Sequence, residues 1–132
     1  MTTTTNTFRA FSLLLVGFLA LASGCGGIPA AADADQARQT LIAALDAWKS
    51  GETPDALAAR SPAIHVSDTD WNSGATLTSY EAADSALPAG YDVSFSVVLE
   101  LKAPKAKVST KSKAVYVVST HPKALVLRQD AP

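Results

Sequence analysis

Residues 91–102, which read YDVSFSVVLELK, decide the fold of this chain. Apolar side chains fill every odd position from Tyr91 to Leu101, and all the even positions except Val98 are polar. An alternation with a period of two is typical of a β-strand that has one buried face and one solvated face. The stretch therefore predicts a strand in a sheet that is covered on one side only.

Shorter strand-like segments lie on both sides of this stretch, at residues 64–66, 77–83, 111–120 and 124–128. Turn-forming sequences separate the later segments from one another and from residues 91–102. They lie at residues 87–90 (LPAG), at 103–105 (APK) and at His121-Pro122. We therefore expect a curved antiparallel sheet of about four to five strands, ordered as a meander.

A helix is predicted ahead of the sheet, from about Asp35 to Ser50-Gly51, with Asp33 or Asp35 as its N-cap. Its apolar residues recur at helical spacing and form one stripe: Ala37, Leu41, Ala44, Leu45 and Trp48. Thr53-Pro54 predicts a second, short helix that ends near Arg60. One apolar helix stripe facing one apolar sheet face predicts an α+β fold, with one or two helices packed on the sheet.

The N-terminal segment has the features of an export signal. Arg9 precedes an uncharged run at residues 10–22, AFSLLLVGFLALA. As a helix this run would cover only about 20 Å, against about 30 Å for a bilayer core. It is typical of the apolar region of a signal peptide, so we expect an N-terminal signal helix and assign residues 1–24 to a leader.

The sequence LASGCGG at residues 21–27 resembles the lipobox of bacterial lipoproteins. In that family the cysteine thiol receives a diacylglyceryl group and the leader is cleaved just before the cysteine. The resemblance implies that Cys25 is acylated and fixes the exported protein to a membrane of the cell envelope. Gly26 in place of Asp favours the outer membrane, in a cell that has one. An ordinary signal peptide cleaved near Ala22 and an uncleaved anchor are the alternatives.

Residues 25–34 then form the lipidated cysteine and a flexible tether, and residues 35–132 form one small domain. The order of its elements resembles the cystatin-like and nuclear transport factor 2-like domains, in which a curved sheet wraps a helix. The segments at residues 45–51 (LDAWKSG), 70–71 (DW) and 116–120 (YVVST) resemble a group of small uncharacterised bacterial lipoproteins. That second resemblance implies no activity.

Candidate chemistry is confined to His65, Asp68 and Asp70, which lie within six residues. A histidine beside carboxylates is able to exchange a proton or bind a metal. The interpretation that we favour is a polar loop next to a solvent-facing histidine. The chain carries no nucleophile motif and no glycine-rich phosphate loop, so we predict no catalytic residue, cofactor or metal.

Charge is divided unevenly along the mature chain. Residues 25–101 carry a net charge of −8, and residues 102–132 carry seven basic residues and one acid, which is +6. Lysines clustered on a hairpin are able to bind anionic lipid headgroups or acidic wall polymers. Alternatively, they keep a sheet edge soluble. Nucleic acid is not expected as a partner of an exported protein.

These observations favour a non-enzymatic, lipid-anchored envelope protein that binds another envelope protein, a wall polymer or a small apolar ligand. One alternative is a small hydrolase or isomerase with a cone-shaped pocket, in which His65 acts with Asp68 or Asp70. Another is a structural lipoprotein that docks through its lysine-bearing hairpin.

Overall fold

The computed structural model describes residues 33–130. The predicted leader, Cys25 and all but the last two residues of the predicted tether lie outside the described residues. The described part is an α+β fold in which three helices accompany one open five-stranded sheet. The elements are α1 (Ala34–Lys49), α2 (Pro54–Ala58), β1 (Ile64–Ser67), α3 (Thr69–Asn72), β2 (Thr76–Ala89), β3 (Asp92–Lys102), β4 (Thr110–Ser119) and β5 (Ala124–Gln129).

The sheet is mixed, and the prediction of a wholly antiparallel sheet is wrong at one pair. The strand order is β1-β5-β4-β3-β2, and β2 to β5 form the expected antiparallel meander. Strand β1 pairs with β5 in parallel, with Ile64 opposite Ala124. After β1 the chain passes through α3 and re-enters the sheet as β2, at the edge opposite to β1. The meander then runs back across the sheet from β2 to β5, so β5 lies next to β1. Nothing in the four-residue sequence of β1 predicts that this strand pairs with β5.

Strand β3 confirms the alternation on which the fold was predicted. Its odd positions from Val93 to Leu101 are all buried, at 0–7% exposure. Tyr91 is an exception: it lies in the turn after Gly90, is 68% exposed and is not part of the strand. Gly90 has a φ of +66°, a conformation that glycine adopts without a steric penalty.

Strand β2 is longer than predicted because an irregularity hides its pattern. It was expected at residues 77–83 and runs to Ala89, with register shifts between Leu77 and Ser79 and between Ala82 and Ala86. A bulge moves the following residues to the opposite face, so a period of two fails across it.

Helix α1 begins one residue earlier than predicted, at Ala34. The Asp33 carboxylate caps it by accepting from the backbone N–H of Asp35 and Gln36. The five predicted stripe residues are all buried, at 0–2% exposure. The stripe lies on the sheet face that carries the odd positions of β3, and both belong to one core.

Three side-chain hydrogen bonds fix α1 against the β2 side of the sheet. The Arg38 guanidinium donates to the Ala83 carbonyl at the second irregularity of β2, over 2.7 Å. The Tyr80 hydroxyl donates to the Asp46 carboxylate over 2.6 Å. The Trp48 indole N–H donates to the carbonyl just before β2 over 2.8 Å. These bonds align α1 antiparallel to β2.

Candidate functional site

Asp68 immediately follows β1 and is the one charged residue in the described part of the chain that is classed as buried, at 1% exposure. Its Oδ1 accepts from the backbone N–H of Asp70 at 2.9 Å and from that of Trp71 at 3.1 Å. Asp68 is thereby the N-cap of α3, a helix that the sequence analysis did not predict. The expectation that this segment is an open polar loop is wrong for Asp68.

The other oxygen of Asp68 joins it to the sheet. The Tyr116 hydroxyl, from the buried face of β4, donates to Asp68 Oδ2. The guanidinium of Arg128 on β5 lies 3.3 Å from Asp68 Oδ1 and also forms an ion pair with Asp70. We call Asp68, Asp70, Tyr116 and Arg128 the carboxylate cluster.

Protonation within the carboxylate cluster follows from burial and charge. Burial, reinforced by the negative charge of Asp68, raises the pKa of the Tyr116 hydroxyl far above its ordinary value, so this group stays a neutral donor. Burial lowers the pKa of Arg128, but its bonds to Asp70 and Asp68 outweigh that effect and raise the pKa overall. Within the cluster, Tyr116 is therefore a neutral hydroxyl donor and Arg128 a cation.

Trp71 shows what the cluster supports. The N–H that Asp68 caps belongs to Trp71, whose ring stacks on Trp48 with centroids 5.0 Å apart and an interplanar angle of 5°. The Trp71 indole N–H also donates to the Glu52 carbonyl over 2.9 Å. The carboxylate cluster thus fixes the position of α3 and of the buried Trp71 indole, which is a structural role.

His65 is separated from the two carboxylates by the alternation of β1. Val66 packs against the core together with Ile64, so His65 projects toward the opposite face, where its cross-strand neighbour is Leu125. Within residues 33–130 no hydrogen bond or ion pair joins His65 to Asp68 or Asp70. The structure therefore brings together two of the three candidate residues and leaves the histidine apart.

Sequence reasoning missed Tyr116 and Arg128 as members of the cluster. Tyr116 is 48 residues from Asp68 and Arg128 is 60, so no local spacing connects them. One signal was present: Arg128 has the parity of the core residue Val126 in β5, which is an unexpected position for a cation. A charge at a core position predicts a buried partner of opposite sign.

Metal binding finds no support in the described residues: in 33–130 there is no group of three or more His, Cys, Asp or Glu side chains able to hold an ion. The carboxylates of Asp68 and Asp70 share the Arg128 cation instead.

The face of the sheet turned away from α1 is open. It carries the even positions of β3 and the odd positions of β4 and β5, where valines and leucines lie among serines and charged side chains. A shallow groove of about 440 Å³ crosses its middle. The outward-facing residues that line it are Glu81, Ala83, Ser96, Val98, Lys113, Val115 and Gln129. We call this feature the open-face groove.

A second depression, of about 680 Å³, lies at one end of the domain. It runs between the N-terminal half of α1, including Gln36 and Gln39, and the start of β1 and β5, including His65 and Lys123. His65 is one of the residues that border this depression.

The basic residues fall into two classes. All three arginines of the described part, Arg38, Arg60 and Arg128, form ion pairs. The seven lysines form none with any carboxylate in residues 33–130, and five of them lie between residues 102 and 113.

Comparisons with protein-family models, with curated proteins and with solved structures find no match to this chain. Among residues 33–130 there is no helix with the length and apolar character needed to cross a bilayer.

Proposed function

We propose that this protein is a lipid-anchored protein of the bacterial cell envelope whose domain is a non-enzymatic binding module. We assign its binding surface to the open-face groove. One observation carries the assignment: the candidate acid–base carboxylates are committed to structural bonds, while a groove with an apolar floor on the outward face of the sheet is left without a covering element among the described residues.

Packing beneath α1 supports a binding module over the alternative of a small hydrolase or isomerase. Such an enzyme needs a pocket between helix and sheet. Here Leu41, Leu45, Phe95 and Leu99 meet in that space with exposures of 0–1%. Side chains so completely enclosed leave no void beside them large enough for a water molecule. Substrate would have no room in the middle of the helix–sheet interface, and the depression at its end, which His65 lines, includes neither Asp68 nor Asp70.

The lining of the open-face groove indicates the chemistry of what it binds. Ala83, Val98 and Val115 supply an apolar floor, while Glu81 and Lys113 place one charge of each sign at its margin. A shallow apolar surface with a few polar groups suits a small apolar ligand or the side chains of a partner protein.

Attachment through Cys25 supports the placement in the envelope. Each methylene of an acyl chain that enters a bilayer contributes about 0.8 kcal/mol, and two chains give stable attachment. Asp33, the cap of α1, follows Cys25 by only eight residues. The domain is therefore held close to the membrane in this proposal.

Fractionation of cells that express the full chain tests the anchor. We expect the wild-type protein in the membrane fraction, resistant to high salt and released by detergent, and we expect C25S to leave that fraction. Gly27→Ala, two residues further on, is the matched control and should behave as wild type. Wild-type protein in the soluble fraction, or C25S that stays with the membrane, contradicts the anchor.

Binding of anilinonaphthalene sulfonate, a fluorescent apolar probe, tests the groove. Ser96 is exposed at the groove, so Ser96→Arg fills it with a long side chain, and we expect at least a tenfold loss of probe affinity. Ser85→Arg, at an exposed position of β2 outside the groove, is the matched control. Equal probe binding by both variants would refute the assignment.

A further inference from the structure

We propose that the lysine hairpin, defined as residues 102–113, binds a linear anionic polymer of the cell envelope at the end of the domain farthest from the lipid anchor. This inference rests on the proposed function, because the anchor at Cys25 defines which end of the domain is the distal one.

The lysine hairpin offers five cations that nothing in the described part of the chain neutralises by direct pairing. Its lysines at positions 102, 105, 107, 111 and 113 are all exposed, and no acidic residue lies between the first and the last of them. The arginines of the same domain are all consumed in ion pairs. Of the seven lysines without an ion pair in the described part of the chain, five are therefore concentrated in the lysine hairpin.

Nearby acids reduce but do not cancel this charge. Glu100 is the cross-strand partner of Lys111, and Glu81 borders the open-face groove beside Lys113. Glu100 accepts a hydrogen bond from the Ser79 hydroxyl at 2.9 Å and forms no ion pair with Lys111 in the structure. Five lysines and these two glutamates leave a local charge of +3.

Contacts at the two ends of α1 show where the lysine hairpin lies. The first half of α1 borders the turn between β4 and β5, where Lys123 is found. The last turn of α1 bonds through Trp48 to Ala75, next to Thr76, which pairs with Lys102 at the hairpin end. The chain thus enters the domain at one end, and the lysine hairpin occupies the other.

Distance separates the hairpin from the membrane and from the acidic residues at the start of α1. The 10 residues of β4 span about 33 Å between the two ends. Acidic residues near the entry end, such as Asp33 and Asp35, therefore lie several screening lengths away, because that length is about 8 Å at physiological ionic strength. The eight residues from Cys25 to Asp33 reach about 28 Å at most. Contact of the hairpin with its own membrane would need a domain that lies on its side or turns over on its tether.

The spacing of the lysines favours a polymer over a single small anion. Lys111 and Lys113 project from the same face of β4, about 6.6 Å apart. Lys105 and Lys107 continue the series around the tip. Such a row matches repeated anionic groups along a chain, each of which gains from one cation and releases a bound counterion.

Amine labelling of the membrane-bound protein tests this inference. Protein purified from cells with its anchor is placed in phosphatidylcholine vesicles, and the acylation of each lysine by a membrane-impermeant ester is read by mass spectrometry. Inorganic polyphosphate is the polymer probe, and vesicles that contain phosphatidylglycerol supply the lipid alternative. We expect polyphosphate to slow the labelling of Lys105 and Lys107 at least fivefold, and to leave Lys123 unchanged. Protection by phosphatidylglycerol without protection by polyphosphate overturns the inference, as does protection by neither.

A charge-reversal pair sharpens the result. Lys102→Glu/Lys107→Glu changes the net charge by four units at the hairpin and spares Lys105, which has a φ of +64°. Gln36→Glu/Gln39→Glu/Lys123→Glu makes the same change at the opposite end, at exposed positions. With five contacts we expect log affinity for polyphosphate to fall with log salt at a slope of about −3.5. In the hairpin variant this slope should weaken to about −2, and the affinity for polyphosphate should fall at least tenfold. The control should retain the wild-type slope. Equal losses in both variants would refute a specific role of the hairpin.

The two proposals fail separately. Protein that leaves the vesicles at high salt contradicts the anchor and the proposed function. Protein that stays on the vesicles and gains no protection from polyphosphate contradicts only the inference about the lysine hairpin.

Discussion

Replacement of Asp68 by Asn removes the buried negative charge of the carboxylate cluster and nearly preserves the shape of the side chain. Asn keeps an oxygen that is able to cap α3, so the loss concerns the Arg128 cation and the Tyr116 hydroxyl. Removal of one partner of a buried ion pair costs about 3–5 kcal/mol. Arg128 keeps Asp70, so we expect the lower end, about 3 kcal/mol of unfolding free energy. For a domain of this size that lowers Tm by about 12–24 °C.

Urea unfolding followed by tryptophan fluorescence measures this loss, because Trp71 lies at the capped helix and stacks on Trp48. Asp70→Asn is the matched control: the Asp70 side chain is 39% exposed, and its loss should cost less than about 1 kcal/mol. A D68N protein within about 0.5 kcal/mol of wild type would refute the structural reading of Asp68. Increased stability would instead indicate a carboxylate kept for function.

Three further perturbations test other parts of the structure. Burial and then the Asp46 carboxylate raise the pKa of Tyr80 to about 12, and burial raises the pKa of Tyr116 still further, from an ordinary value of 10.0. The unfolded chain therefore loses these protons first, so thermal stability should fall as pH rises from about 10 toward 12, and Tyr116→Phe should flatten that fall. Trp48→Phe removes the indole bond to the backbone at the start of β2 and should cost about 2–3 kcal/mol in urea unfolding, whereas a loss below about 0.5 kcal/mol would contradict that bond. Val118→Ser on the core face of β4 should cost about 3 kcal/mol and Val115→Ser on the open face less than about 1 kcal/mol, and equal costs would show that the open face is covered.

The core of the fold was predictable because its buried residues recur with the period of a helix in α1 and of a strand in β3. Strand β3 alternates strictly, and α1 places its stripe at helical spacing between a recognisable cap and Gly51. Each pattern depends only on neighbours in the chain, so the sequence alone defines the buried face of each element.

Pairing and irregularity were not predictable in the same way. The parallel contact of β1 with β5 joins residues about 60 positions apart, and the register of four residues is set by packing rather than by their own pattern. In β2, residues 83–85 fall within a shift of register, so the strand continues where its period of two is lost.

Only two of the four residues of the carboxylate cluster, Asp68 and Asp70, were identified from the sequence. The proximity of Asp68 and Asp70 marked the segment, but what each carboxylate does depends on Arg128, which arrives from β5. The role of His65 differs from that of the two carboxylates because successive residues of a strand point to opposite faces, and His65 lies on the outward face of β1.

Intact-mass measurement of the protein recovered from cell membranes tests directly whether Cys25 carries the lipid anchor. We expect a chain that begins at Cys25 and carries the added mass of a glyceryl group with its acyl chains. A chain that retains residues 1–24, or one whose Cys25 is an unmodified thiol, would contradict the anchor on which the placement in the envelope depends.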